Sequence, residues 1–154
     1  MSTTPANKIR LTRRYRFSAT HRLYSDELTE QQNKATFGKC ANPYGHGHDY
    51  VLHVSVSGPL EPETGRIVDL NTLDQFVHET VVQPFEHKNL NVDVPEFAAL
   101  VPTTENLAIV VQQRLAAEWD RRLHADPTLA YVALDKIKIE ETKRNIFEVE
   151  NRSK

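Results

Sequence analysis

The clearest alternation in the chain runs from Lys8 to His21. Odd positions read Ile9, Leu11, Arg13, Tyr15, Phe17, Ala19 and His21, and even ones read Lys8, Arg10, Thr12, Arg14, Arg16 and Ser18. A period of two with one apolar phase predicts a half-buried strand, odd residues inward and Arg13 the exception. A second such run starts at His46, with His46, His48, Tyr50, Leu52, Val54 and Val56 in the inner phase and Val51, His53, Ser55 and Ser57 in the outer one. His53 therefore reads as a surface or interface residue. Further on, Ile137, Ile139 and Glu141 share the inner phase of a third strand, and residues 146–150 close a hairpin across the turn at 142–145.

Between the second and third strands the period becomes helical. Leu70, Leu73, Phe76, Val77 and Val81 mark one face of a first helix, capped by Asn71 or Asp69 and ended by or just before Pro84, with His78 on the solvent side. Leu107, Val110, Val111, Leu115, Ala116 and Trp119 mark a second, opened by a threonine cap at 103–104 and stopping before Pro127. Residues 22–39 lack a clean period and read as a long functional loop, within which 25–33 can form a short helix. The expectation is an α+β domain, a four-stranded antiparallel sheet with two helices packed on one face, in the order ββααββ.

Composition narrows the class. A chain of 154 residues accommodates one domain, expected at 8–154 behind a flexible tail at 1–7. Net charge −2 with 26% charged residues gives no bulk electrostatic case for nucleic acid or an anionic membrane. No window approaches the ~20 apolar residues of a membrane span, and the opening residues lack a signal peptide's apolar run. One cysteine cannot form an internal disulfide, which fits a reducing compartment; the expected location is the cytosol.

Chemistry concentrates at 40–48, Cys-Ala-Asn-Pro-Tyr-Gly-His-Gly-His. A His-x-His pair or a single cysteine means little alone. Here, though, His46 and His48 continue the inner phase of one strand and His21 ends the inner phase of another. Adjacent antiparallel strands would bring the three imidazoles over one spot, a ligand set suited to zinc with an open position. Glu141 follows Ile137 and Ile139 onto the inner face, where a carboxylate is costly unless it is paired or meets a ligand.

Several short motifs then agree in identity and order: Phe17-Ser18-Ala19-Thr20-His21-Arg22-Leu23, Phe37-Gly38-Lys39-Cys40, Gly45-His46-Gly47-His48, His87-Lys88-Asn89-Leu90, Thr103-Thr104-Glu105-Asn106 and Glu141-Thr142. Over about 15–149 the chain resembles the 6-pyruvoyltetrahydropterin synthase family. The resemblance implies a tunnelling fold, in which the sheets of three subunits close into a barrel and two trimers stack into a homohexamer with active sites at subunit interfaces. It implies a lyase that converts a small-molecule pterin triphosphate, 7,8-dihydroneopterin triphosphate, to 6-pyruvoyl-tetrahydropterin with loss of triphosphate. By the same resemblance, His21, His46 and His48 bind one zinc ion per subunit and Cys40 is the general base. His87 is a relay histidine from a neighbouring subunit, with Glu86 where the animal enzymes carry aspartate. Glu141 anchors the pterin, and Thr104 and Glu105 line its pocket. Arg22, Lys34, Lys39 and Lys88 are candidates for the triphosphate. The alternatives are a 6-carboxytetrahydropterin synthase of the queuosine pathway, whose cysteine usually stands closer to the His-Gly-His than Cys40 does, and a noncatalytic pterin- or zinc-binding hexamer. A folate-pathway branch carries glutamate in place of this cysteine.

Overall fold

The computed structural model describes residues 7–151, so the expected tail at 1–7 lies, Asn7 apart, outside the described residues. Strand β1 (Lys8–His21) and strand β2 (His46–Pro59) pair antiparallel along their whole length, from Lys8 opposite Pro59 to His21 opposite His46. The loop between them is not structureless. Thr29 caps helix α1 (Glu30–Phe37) through a reciprocal pair of bonds with Gln32, and a 3₁₀ turn at Gly38–Ala41 follows.

Helix α2 (Leu70–Val77) is capped by Asp69, whose carboxylate accepts from the Thr72 N–H at 3.0 Å; Asn71 plays no such part. Pro84 cannot donate an i→i−4 bond, and the helix widens into a π turn at His78–Val82 before a last turn, α3 (Gln83–Phe85). His78 is exposed, as its place off the apolar stripe predicts. Strand β3 (Lys88–Asn89) and the short helix α4 (Leu90–Asp93) lead on to helix α5 (Thr104–Ala125), capped by Thr103. Strands β4 (Ala133–Glu140) and β5 (Ile146–Glu150) form the closing hairpin.

The sheet has five strands in the order β3-β1-β2-β4-β5, which corrects the expected four-stranded, wholly antiparallel sheet and the simple order ββααββ. The added strand is two residues long, runs parallel to Ala19 and Thr20, and is too short to carry any period. It covers the site end of an otherwise open edge of β1.

Helices α2 and α5 do share the inner face. Phe17, Tyr50, Leu52 and Val54 of the sheet pack with Leu73, Phe76, Leu107, Val111 and Leu115 of the helices in one buried cluster. Each such aliphatic or aromatic side chain contributes about 1.5–3 kcal/mol relative to exposure. Arg13, the inward exception, donates twice to Asp74 of α2, at 2.8 and 2.7 Å, and the Tyr15 hydroxyl donates to the same carboxylate at 2.8 Å. The guanidinium holds the Asp74 carboxyl below its ordinary range. An inward arginine thus ties β1 to the helical layer. On the other face Ser55 and Ser57 are buried under a polar network, Thr12 to Ser55 at 2.7 Å and Ser57 to Asp135 at 2.9 Å. His53 stands there too, half-buried, with Nε2 3.4 Å from Glu140. Among the described residues no helix is long and apolar enough to cross a membrane.

Candidate active site

Because cross-strand partners project to the same side of a sheet, the register puts three imidazoles on the inner face at one end. His21 lies opposite His46, and Ala19 opposite His48. Ring centroids are 4.9 Å apart for His21 and His48, and 4.7 Å apart for His46 and His48. The turn into β2 passes against His21 at Gly45, where φ is +76° and a Cβ would lie 2.8 Å from the His21 carbonyl oxygen. Only glycine fits there without displacing backbone. Cys40 arrives from the 3₁₀ turn, held by the Leu23 N–H, which donates to the Cys40 carbonyl at 2.7 Å.

The ligating atoms of His21, Cys40 and His48 lie within 4.8 Å of one another. His21 Nδ1 is 2.9 Å from the Pro102 carbonyl oxygen. A carbonyl can only accept, so Nδ1 carries the proton and Nε2 presents a lone pair. Nε2 of His21 and Nε2 of His48 are both buried without a hydrogen-bond partner. Buried polar atoms are seldom left so. Two orphaned imidazole nitrogens beside a thiol fit a transition-metal ion. His46 is exposed and borders this trio through His48 without joining it.

Electrostatics favour the ligating form of the imidazoles. Burial, with the neighbouring His48, pushes His21 below the ordinary histidine range, and burial does the same to His48. The Cys40 thiol is pushed up, first by burial and then by the Glu141 carboxylate. Glu141 lies just past the end of β4, and its carboxylate accepts from the hydroxyl of Thr104, the buried first residue of α5. The expected anchor and one expected pocket residue are thus joined. Glu105 is exposed on the first turn of α5 and, among the described residues, makes no hydrogen bond or ion pair to the cluster.

The inner phase carries one further site residue, Tyr50, whose role sequence reasoning missed. It is fully buried beneath the imidazoles, stacked on Phe17 at 5.2 Å, with its hydroxyl 3.3 Å from His21 Nδ1. Burial, then Glu141 and Cys40, push its phenol upward. Its signal was the inner phase itself, two residues beyond His48. Pro102 contributes through its backbone carbonyl, for which side-chain identity gives no signal.

His87 and Glu86 lie at the β1 edge, outside the trio, where His87 lines an open groove with Ser18, Thr20, Gly47 and His48. His87 has a left-handed backbone, φ +57°, uncommon outside glycine, and its N–H donates to the Ser18 carbonyl at 2.6 Å. Its side chain is 82% exposed, with Nε2 3.0 Å from Glu86 Oε1, so the longer carboxylate does reach its histidine. The same oxygen accepts from the Ser18 N–H at 3.2 Å. Among the described residues His87 has no contact with Cys40.

The inner end of this α+β sheet thus joins unpartnered imidazole nitrogens and a thiol, a donor set able to hold a metal ion, to a hydroxyl-bound carboxylate. Residues 10–152 match the family model described as 6-pyruvoyl tetrahydropterin synthase. The 6-pyruvoyl tetrahydrobiopterin synthase of Poecilia reticulata is 44% identical over 92% of this chain and 90% of its own length, and that of Homo sapiens 43% identical over 88% and 87%. The solved structure of the Caenorhabditis elegans 6-pyruvoyl tetrahydropterin synthase superposes with a TM-score of 0.81 at 35% identity, covering 97% of this chain and all of that one. The chain belongs to the 6-pyruvoyl tetrahydropterin synthase family.

Proposed function

We infer that this protein is the lyase of that family, converting 7,8-dihydroneopterin triphosphate to 6-pyruvoyl-tetrahydropterin with elimination of triphosphate. The observation that carries the site assignment is the pair of buried, unpartnered Nε2 atoms beside Cys40, with the Thr104–Glu141 contact next to them. His21, His46 and His48 would hold one zinc ion per subunit, His21 with its tautomer set by the Pro102 carbonyl. When bound, zinc supplies a Lewis acid that polarises the substrate's side-chain oxygens, acidifies the neighbouring C–H bonds and lowers the pKa of a nearby thiol.

The remaining steps belong to the chain. The Glu141 carboxylate accepts hydrogen bonds from the ring N–H and amino groups of the pterin, oriented by the Thr104 hydroxyl. Glu105 lines the mouth of that pocket. Cys40 takes the proton from carbon, and His87, braced by Glu86, passes protons at a neighbouring subunit's site.

A homohexamer of two trimers follows from the same reading, and the sheet edges support it. From Lys8 to Ser18 the β1 edge has no partner among the described residues, and its outer phase carries Arg16 beside Arg10 and Arg14, which pair with Asp135 and Glu140, whereas β5 at the opposite edge carries Glu150 beside Glu148, which pairs with Lys136. Pairing the basic edge of one copy with the acidic edge of the next is heterologous, the kind of interface from which rings are built. His87 stands on that basic edge, where it meets a neighbour. The free thiol fits a cytosolic enzyme.

Incubating the protein with dihydroneopterin triphosphate and identifying the products by mass tests the function. 6-Pyruvoyl-tetrahydropterin and triphosphate are expected. Acetaldehyde with a 6-carboxy product would overturn the assignment, as would no conversion by the zinc-loaded protein.

A further inference from the structure

Four polar groups run in one line across the inner end of the sheet, and each comes from a different element. His21 ends β1, Tyr50 lies on β2, Thr104 opens α5 and Glu141 follows β4. Tyr50 is fully buried, His21 is 1% exposed and Thr104 2%, so the line is closed to water except at its carboxylate end. Burial of this kind makes each bond in the line stronger and each missing one costly.

The direction of donation follows from what each group can do. The Glu141 carboxylate only accepts, so the Thr104 hydroxyl donates to it. The Nδ1 proton of His21 is shared between the Pro102 carbonyl at 2.9 Å and the Tyr50 oxygen at 3.3 Å, both of which accept. Nδ1 then has no lone pair to offer the tyrosine. The Tyr50 proton goes instead to the Thr104 hydroxyl, which stands within hydrogen-bonding reach and has lone pairs free. Every proton in the line points from the imidazole toward the carboxylate.

We propose that Tyr50 is a positioning residue that couples the two halves of the site: its hydroxyl links the metal-binding imidazole of His21 to the Glu141 carboxylate through Thr104, so that filling the pterin pocket tightens the hold on the ion, and the reverse. The inference rests on the reading of this site as one that binds zinc and a pterin. With an ion at Nε2 the His21 ring loses electron density and its Nδ1–H donates more strongly. Hydrogen bonds in series polarise one another, so the tyrosine and threonine hydroxyls become stronger donors in turn. At the far end Glu141 is held in one orientation while its remaining lone pairs stay open to the ring's N–H and amino groups. A carboxylate already aimed loses less rotamer freedom when the ring binds, an effect of about fivefold in affinity. Coupling is reciprocal, so zinc affinity changes by the same factor.

The probe is pterin without a 6-side chain, which can meet Glu141 but carries no side-chain hydroxyl to reach the ion. Zinc-loaded wild-type protein and Tyr50→Phe are titrated with a chelating dye of known affinity, each with and without saturating pterin, and ring binding is followed separately by pterin fluorescence. Wild type should hold zinc about fivefold more tightly with pterin bound. Tyr50→Phe should hold it equally in both conditions, because the hydroxyl is lost while the stack on Phe17 remains. A merely structural role would weaken zinc by one factor in both conditions and keep the fivefold ratio, which overturns the coupling. Thr104→Val breaks the next link without touching a histidine and should also erase the ratio, so the test stands even where Tyr50→Phe folds poorly; a ratio retained there overturns the proposal too. A wild type that binds no pterin refutes the pterin reading and the coupling together, whereas pterin binding without a change in zinc affinity refutes the coupling alone.

Discussion

Two histidine sites sit at the same end of β1, and they are built in opposite ways. His21 and His48 are pushed below the ordinary histidine range by burial and end in nitrogens that no group among the described residues satisfies. His87 is 82% exposed, already paired with Glu86, and held in a left-handed backbone at the strand edge. The first site draws a thiol and two imidazoles from one chain into a space within 4.8 Å. At the second, an exposed imidazole is braced by Glu86 and lines an open groove with Gly47 and His48. Backbone strain kept at an exposed histidine is the kind of feature that marks function. If the proposed assembly holds, damage to the cluster should stay in the subunit that carries it, whereas damage to His87 should show in the neighbour.

The largest expected effect separates ligand from base within the cluster. His48→Ala should bring zinc content by elemental analysis near zero and abolish turnover. Cys40→Ala should keep both zinc and biopterin binding while kcat falls by about a thousandfold. The contrast decides between donor sets, because the tightest geometric trio contains Cys40, whereas the assigned set replaces it with His46. Loss of zinc from Cys40→Ala would make the thiol a ligand and leave the base unassigned.

Next in size is a test of where His87 works. His87→Ala should leave zinc content unchanged and lower kcat about a hundredfold. Refolding it together with Cys40→Ala should then restore activity, because a site with an intact thiol from one variant and an intact imidazole from the other is whole. Random mixing gives about a quarter of wild-type activity. Additive inactivity in the mixture would mean that His87 serves its own chain.

The two sites also differ in how readable they were. Period-two runs of 14 residues in β1 and β2 made the inner face legible, and with it the meeting of His21 and His48, whereas His46, in the same phase, stays exposed beside them. The same phase carried Glu141 inward, although β4 stops one residue earlier and a hydroxyl on α5 completes the contact. What periodicity could not give is whatever depends on a backbone atom or on fewer residues than one period: the Pro102 carbonyl, the left-handed φ of His87, and the two residues of β3. The helix inside the 22–43 loop was only half legible. Its capping box lies in the sequence as Thr29 and Gln32, but its weak apolar content hides it from a reading based on stripes.

The smallest effect concerns Glu86, whose one oxygen serves two donors, the His87 ring at 3.0 Å and the Ser18 N–H at 3.2 Å. Glu86→Gln keeps the length and a carbonyl oxygen that can accept both, so the β1 edge and the His87 backbone should stay in place and thermal stability should hardly change. Only the negative charge behind the imidazole is lost. Loss of such a partner typically costs 10–100-fold in activity, and for an exposed pair the low end applies, so a fall of about tenfold in kcat with KM unmoved is expected. Glu86→Asp is the sharper control: it keeps the charge but shortens the reach, so it should lose activity only as far as it loses the contact. If Glu86→Gln matches wild type, the carboxylate merely fastens Ser18. If it matches His87→Ala, the charge matters as much as the imidazole itself, and relay by His87 alone no longer accounts for the site.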